Sequence, residues 1–193
     1  MSFTIENVTT ATKLGSCALY NGTCKRLWNV VWDPSEMELV KSEKGRIYLI
    51  VSRANDQESL GEIKKIGKSE CKGGMKKTFA FYQNGISGSP SIRTFGIHHL
   101  ITAELKAGKI VEIWGIWSPQ PIEMEINGLL GTQTKLVYPS IHIMEELCRI
   151  DYKNATRTLP PWNFQERGQP WPDWVQQSFK QQVAGRGKNQ AAQ

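Results

Sequence analysis

No stretch of this 193-residue chain approaches the ~18 uninterrupted apolar residues that a membrane-spanning helix requires. Its opening, Met-Ser-Phe-Thr-Ile, lacks the basic start and apolar core of a secretory leader, so the expectation is a soluble, cytoplasmic protein. Cysteine is scarce: Cys17, Cys24, Cys71 and Cys148 include no C-x-x-C pair, which argues against a structural zinc site and leaves four thiols in a reducing compartment. Histidine is scarcer still. His98 and His99 are neighbours whose side chains diverge by about 100° on a helix, and no two histidines stand at i, i+4. There is no G-x-S-x-G elbow, which removes one common hydrolase design. The segment "IGKSECKGG" ends a strand pattern and has no glycine five residues before Gly67, where a phosphate-binding loop needs one, so the look of "GKS" is misleading. Hydrophobic residues amount to 39%, pointing to a modest core.

Positive charge is not lacking. Lys and Arg number 24 against 18 Asp and Glu, giving +6 and a pI near 9.2. Such a surface attracts polyanions, nucleic acid first.

Three regions are expected. Residues 1–44 read as an N-terminal extension whose "RLWNVVW" places Trp28 and Trp32 on one face at helical spacing. Residues 45–165 carry the main domain. "RIYLIVS" is a near-continuous β-branched run, and "EIKKIGKS" reads as its antiparallel partner across the loop "ANDQESLG". The Gly/Ser/Lys-rich "CKGGMKKTFAFYQNGISGSPS" reads as a long functional loop. A helix follows over "IRTFGIHHLITAELKAG", capped by Gly108, then a third strand "KIVEIWGIW". "PQPIEMEI" continues that strand or opens a hairpin, and "YPSIHIMEELCRIDY" is a second helix with Ser140 as N-cap. Residues 166–193 form a Pro/Trp-rich strap and a disordered tail. The class is α+β: a small, three-stranded, mainly antiparallel sheet flanked by helices.

Several strongly polar residues stand where the apolar pattern predicts core. Tyr48 interrupts an aliphatic strand, Lys68 ends its partner, and Arg93 starts a helix. Glu145 lies between Ile141 and Cys148 on the inner side of another helix. A buried carboxylate needs a partner or a metal. A carboxylate for a divalent metal, cations for a charged phosphorane and a phenol for proton transfer make a phosphodiesterase set.

"RIYLIVS…IKKIGKS" resembles the signature hairpin of the GIY-YIG nucleases, with Arg46-Ile47-Tyr48 as the first triplet and Lys65-Ile66-Gly67 as the second. The order strand, strand, helix, strand, helix is similar to that family's over roughly residues 45–163. The resemblance implies a DNA endonuclease, of restriction, homing or phage type, that hydrolyses phosphodiester bonds by in-line attack of water with Mg²⁺ or Mn²⁺. It implies Tyr48 as general base or water-positioning group, and Lys68 as activator of water or holder of a phosphate. Arg93 stabilises the transition state, Glu145 binds the metal, and Asn163 is the late asparagine. Glu146 and Asn154 stand as alternatives to the last two. Tyr48 and Lys68, on adjacent strands, would meet one scissile phosphate.

DNA would be held through Lys64, Lys65, Lys72, Lys76 and Lys77, with His98 as an auxiliary contact. Residues 62–77 hold six lysines against two glutamates. Cutting both strands makes a homodimer plausible. A nucleic-acid-binding or assembly protein without catalysis, on the same fold, is the alternative; a structural protein of a larger particle, with the Trp/Pro-rich tail as docking strap, is a third reading, and a phage or mobile-element assembly is a candidate partner.

Overall fold

The computed structural model describes residues 3–20, 26–54, 60–117, 122–138 and 140–190, with backbone alone for 122–126, 134–138, 140 and 186–190. Part of the loop expected at "ANDQESLG", the "PQP" turn and the last three residues lie outside them. Twelve elements follow in order: β1 (Thr12–Leu19), β2 (Trp28–Trp32), α1 (Met37–Lys41), β3 (Arg46–Arg53), β4 (Glu62–Ser69), α2 (Gly74–Gln83), α3 (Ile92–Lys106), β5 (Ile110–Trp117), β6 (Ile122–Asn127), β7 (Gln133–Tyr138), α4 (Ser140–Thr156) and α5 (Asp173–Gln190). Among the described residues, no helix is long and apolar enough to cross a membrane.

The α+β class holds, but the sheet has five strands rather than three, in the order β2-β1-β5-β3-β4, all antiparallel. The additional strands come from the N-terminal 44 residues. Trp28 and Trp32 lie on a strand, not a helix; four residues apart also means one face at a period of two. Trp28 is fully buried and donates its indole N–H to the His98 carbonyl at 3.2 Å.

Two further expectations are corrected. The Gly/Lys-rich segment after β4 contains α2, because Met75, Phe79 and Tyr82 recur at i, i+4, i+7 and bury one stripe. The C-terminal tail is helical as α5, anchored by buried Val175 and by Phe179 against Phe95. Gly108, at φ +75°, does follow α3 as a left-handed cap. β6 and β7 form a separate two-stranded hairpin.

Register divides the core. Tyr48 pairs with Gly67 and Ile50 with Lys65, so these four share the face covered by α2 and α3. Ile47, Leu49 and Ile66 face the other way, towards α4, with Ile141 and Tyr152. A bulge on β4 at Lys64 shifts the pairing between Ile50 and Val51. Tyr48 lies directly over the Gly67 backbone: a Cβ on Gly67 would stand 2.3 Å from the ring.

Candidate active site

β4 is an edge strand, and side chains from both faces of the sheet meet around its edge. On the α4 face, Lys68 Nζ lies 3.2 Å from Glu145 Oε2 and also contacts the ring of His142. Glu145 is buried by its position in the second turn of α4, whereas Glu146 is exposed and pairs with Arg149 at 2.6 Å. Of the two carboxylates, Glu145 is the one turned to the sheet.

On the α2/α3 face, the Tyr48 hydroxyl lies 2.6 Å from that of Tyr82, and both rings are buried. Either hydroxyl can donate. Burial, followed by the neighbouring phenol, holds Tyr48 well above the ordinary tyrosine range, and burial raises Tyr82 in the same direction. Tyr48 is therefore a neutral phenol at physiological pH.

Lys65 occupies the first position of the second triplet. It is 3% exposed, and burial depresses its ammonium to about 8, partly offset by the carboxylates of Glu166 and Glu145. The charges of Arg93 and Glu145 act on both Lys65 and Tyr48, so the two faces share one electrostatic neighbourhood. Arg93, half-exposed at the start of α3, contacts Gln165 and lies 3.4 Å from Glu166. Glu166 is in turn 3.6 Å from Arg149 on α4. This chain of charges runs past the strand edge from α3 to α4.

Several expected roles change. Tyr48 and Lys68 are on adjacent strands but opposite faces, because Tyr48 pairs with Gly67 and the next residue points the other way. They can serve one ligand only at the edge. Lys65 is enclosed and offers no surface contact to DNA. His98 offers none either: it is fully buried, its Nδ1 lies 2.9 Å from the Tyr82 carbonyl, its ring stacks on Trp28, and burial depresses it to about 4. Asn163 is fully buried, with its amide spent on the strand edge: Oδ1 accepts from Ile66 N at 2.9 Å and Nδ2 donates to Ile66 O at 2.8 Å. Asn154 is exposed on α4. Lys72, Lys76 and Lys77 are exposed as expected, Lys77 lying over the Phe81 ring; Lys64 is half-buried and pairs with Glu62.

Arg46, at the head of the first triplet, is a structural clamp. Fully buried, it donates to the carbonyls of Ser42, Lys44 and Cys71 and to Ser69 Oγ, tying the ends of β3 and β4 to the loops around them.

Tyr82, Arg149 and Glu166 were not marked as site residues by the sequence, and Lys65 was marked only as a contact to DNA. A signal existed for Lys65: the adjacent Lys64-Lys65 breaks strand alternation, as a bulge does. Among the described residues no group of three or more His, Cys, Asp or Glu gathers to cage a metal. A single carboxylate, Glu145, with solvent completing the shell, suits a hard cation such as Mg²⁺ that keeps most of its water.

No protein-family model and no curated protein matches the chain. Among solved structures it is similar to a mutant of bacteriophage T4 EndoII, at 20% identity and TM-score 0.49, over 83% of this chain and 99% of that one. It is also similar to the restriction endonuclease Hpy188I, solved in complex with product DNA, at 17% identity and TM-score 0.43, over 82% and 84% of the two chains.

Proposed function

We propose that this protein is a metal-dependent DNA endonuclease that hydrolyses phosphodiester bonds by attack of water at the C-terminal end of β4. The observation that carries the reading is the meeting of Lys68 with Glu145 at 3.2 Å on one face of β4, with a buried lysine, depressed to about 8, on the opposite face of the same strand. A buried lysine with a depressed pKa, acted on by the charges of Glu166, Arg93, Glu145 and Arg149, is the kind of group found at acid–base sites. Lys65 is enclosed, so it can take the proton of the attacking water only by relay, in the fraction that its depressed pKa of about 8 leaves neutral. Tyr48, held neutral, can orient that water by hydrogen bonding but is a poor base. Lys68 and Arg93 supply positive charge for a pentacovalent phosphate. Glu145 would hold a divalent cation, which when bound supplies charge neutralisation at the phosphate. Exposed Lys72, Lys76 and Lys77 can position the duplex through its phosphates.

The test is nicking of supercoiled plasmid with Mg²⁺ or Mn²⁺, wild type beside Glu145→Gln. Wild type should convert plasmid to open-circle or linear product, and the variant should lose activity by about 100-fold or more. Binding without cleavage by wild type would turn the reading to a non-catalytic DNA-binding protein. Equal cleavage by both proteins would remove Glu145 from its role.

A further inference from the structure

Two apolar features of the surface lie outside the site, although the groove beside the second shares Arg149 and Glu166 with its charge chain. The first is the turn of the β6–β7 hairpin, Gly128-Leu129-Leu130-Gly131, where Leu129 is 102% and Leu130 91% exposed. Turn apices normally carry Gly, Asn, Asp, Pro or Ser. Here the glycines flank the apex, the turn closes by Gly128 N to Thr132 O at 2.7 Å, and two leucines stand at the tip. The second feature is an outer stripe on α4: Ile143, Leu147 and Ile150, at i, i+4, i+7, are 47%, 53% and 43% exposed. Three residues at this spacing lie within about 60° on a helix, opposite the face of Ile141 and Tyr152 that packs on the sheet. Beside the stripe runs a groove of about 350 Å³ lined by Ile150 and Leu159 among Glu146, Arg149, Lys153 and Glu166.

We propose that two copies of this chain pair about a two-fold axis, the hairpin tip of each seated on the α4 stripe and groove of the other. An isolated two-stranded hairpin is marginal in water, so an arm of this kind gains stability from a surface to lie on. Its own α4 does not provide one, since both tip leucines are exposed in the single chain. The match is reciprocal, a protruding pair of leucines with an aliphatic stripe beside a groove, as an isologous interface requires. The area is sufficient. The five side chains expose on the order of 600 Å² per copy, so their full burial in a pair reaches the ~1,200 Å² at which standard interfaces begin. DNA is the poorer occupant for the tip, because residues 126–134 carry no charge and strands β6 and β7 contribute Glu123 and Glu125 against Lys135. The inference is independent of the nuclease reading.

Sedimentation equilibrium of the full chain over a concentration series tests it. Wild type should sediment at twice the monomer mass. Leu129→Ser/Leu130→Ser and, separately, Leu147→Glu should each weaken association by about 100-fold, with circular dichroism and melting temperature verifying the fold. Mixing the two variants supplies the discriminating measurement: one tip and one stripe then remain intact in a mixed pair. A heterodimer, weaker than wild type but absent from either variant alone, is expected. A monomeric wild type, a dimer that survives either variant, or a mixture that stays monomeric would each overturn the proposal. So would a tip variant that keeps its mass and loses only its gel shift with DNA, which would assign the tip to nucleic acid.

Discussion

Burial acts on Lys65 and Tyr48 in opposite senses, and that difference sorts their roles. Desolvation penalises the charged form, which is the protonated lysine and the ionised phenol. The lysine becomes a base near neutrality while the tyrosine is kept from becoming one. If Lys65 is the proton acceptor, single-turnover cleavage should rise with pH and level off above an apparent pKa of about 8. Lys65→Met should abolish that rise along with most activity, whereas Tyr48→Phe should lower the rate and leave the profile's midpoint in place. An unchanged profile in Lys65→Met would assign the base elsewhere. His98 yields a stability prediction of definite sign. Its folded pKa, depressed by burial to about 4, lies below the unfolded value. The unfolded chain therefore takes up the proton first, and stability falls as pH drops from about 6.5 towards 4, by roughly 1.4 kcal/mol per unit. Urea unfolding of wild type and His98→Gln at pH 7 and pH 5 should show a steeper loss in wild type; parallel losses would refute it.

Among the elements, the segment after α4 contributes most that spacing alone could not convey. Trp162 N donates to Lys64 O at 2.8 Å, and the Asn163 side chain takes both backbone groups of Ile66. Together they finish the outer edge of β4 as a further strand would, which protects it from pairing with another chain. Asn163→Ala leaves the buried Ile66 N–H and C=O without these partners and should cost about 2–4 kcal/mol in chemical denaturation. A loss under about 0.5 kcal/mol would mean that water replaces the amide without penalty. Sequence reasoning valued this asparagine for a motif, whereas the fold uses it as a clip. The same reasoning passed over α2, misled by Gly73, Gly74 and three lysines. Yet the helix breakers stand at its ends, and the Met75, Phe79, Tyr82 stripe runs between them.

At the scale of the molecule, the sheet is continuous from β2 to β4, and β1 pairs with β5 at its centre. Buried Glu112 on β5 joins Lys13 of β1 and Arg53 of β3 through an ion network. Removing residues 1–44 would expose one edge of β5 and strip Trp28 from above His98. That truncated chain should be insoluble or lack a cooperative melting transition. A soluble fragment that melts cooperatively would show the first two strands to be dispensable.

What the amino-acid sequence determined by itself was local: the β3–β4 hairpin, helices α3 and α4, the cap at Gly108, and Glu145 on the inner side of its helix. Each follows from periodicity, since a period of two or 3.6 assigns a residue to a face without reference to distant chain. Tertiary structure alone decided three other matters: which face of the sheet holds Lys65, what encloses His98, and where the Asn163 amide is spent. A bulge reverses alternation, and burial depends on the element that lands on a face. The perturbed lysine beside Tyr48 is thus a property of the packed sheet, because desolvation acts only once α2 and α3 have covered it.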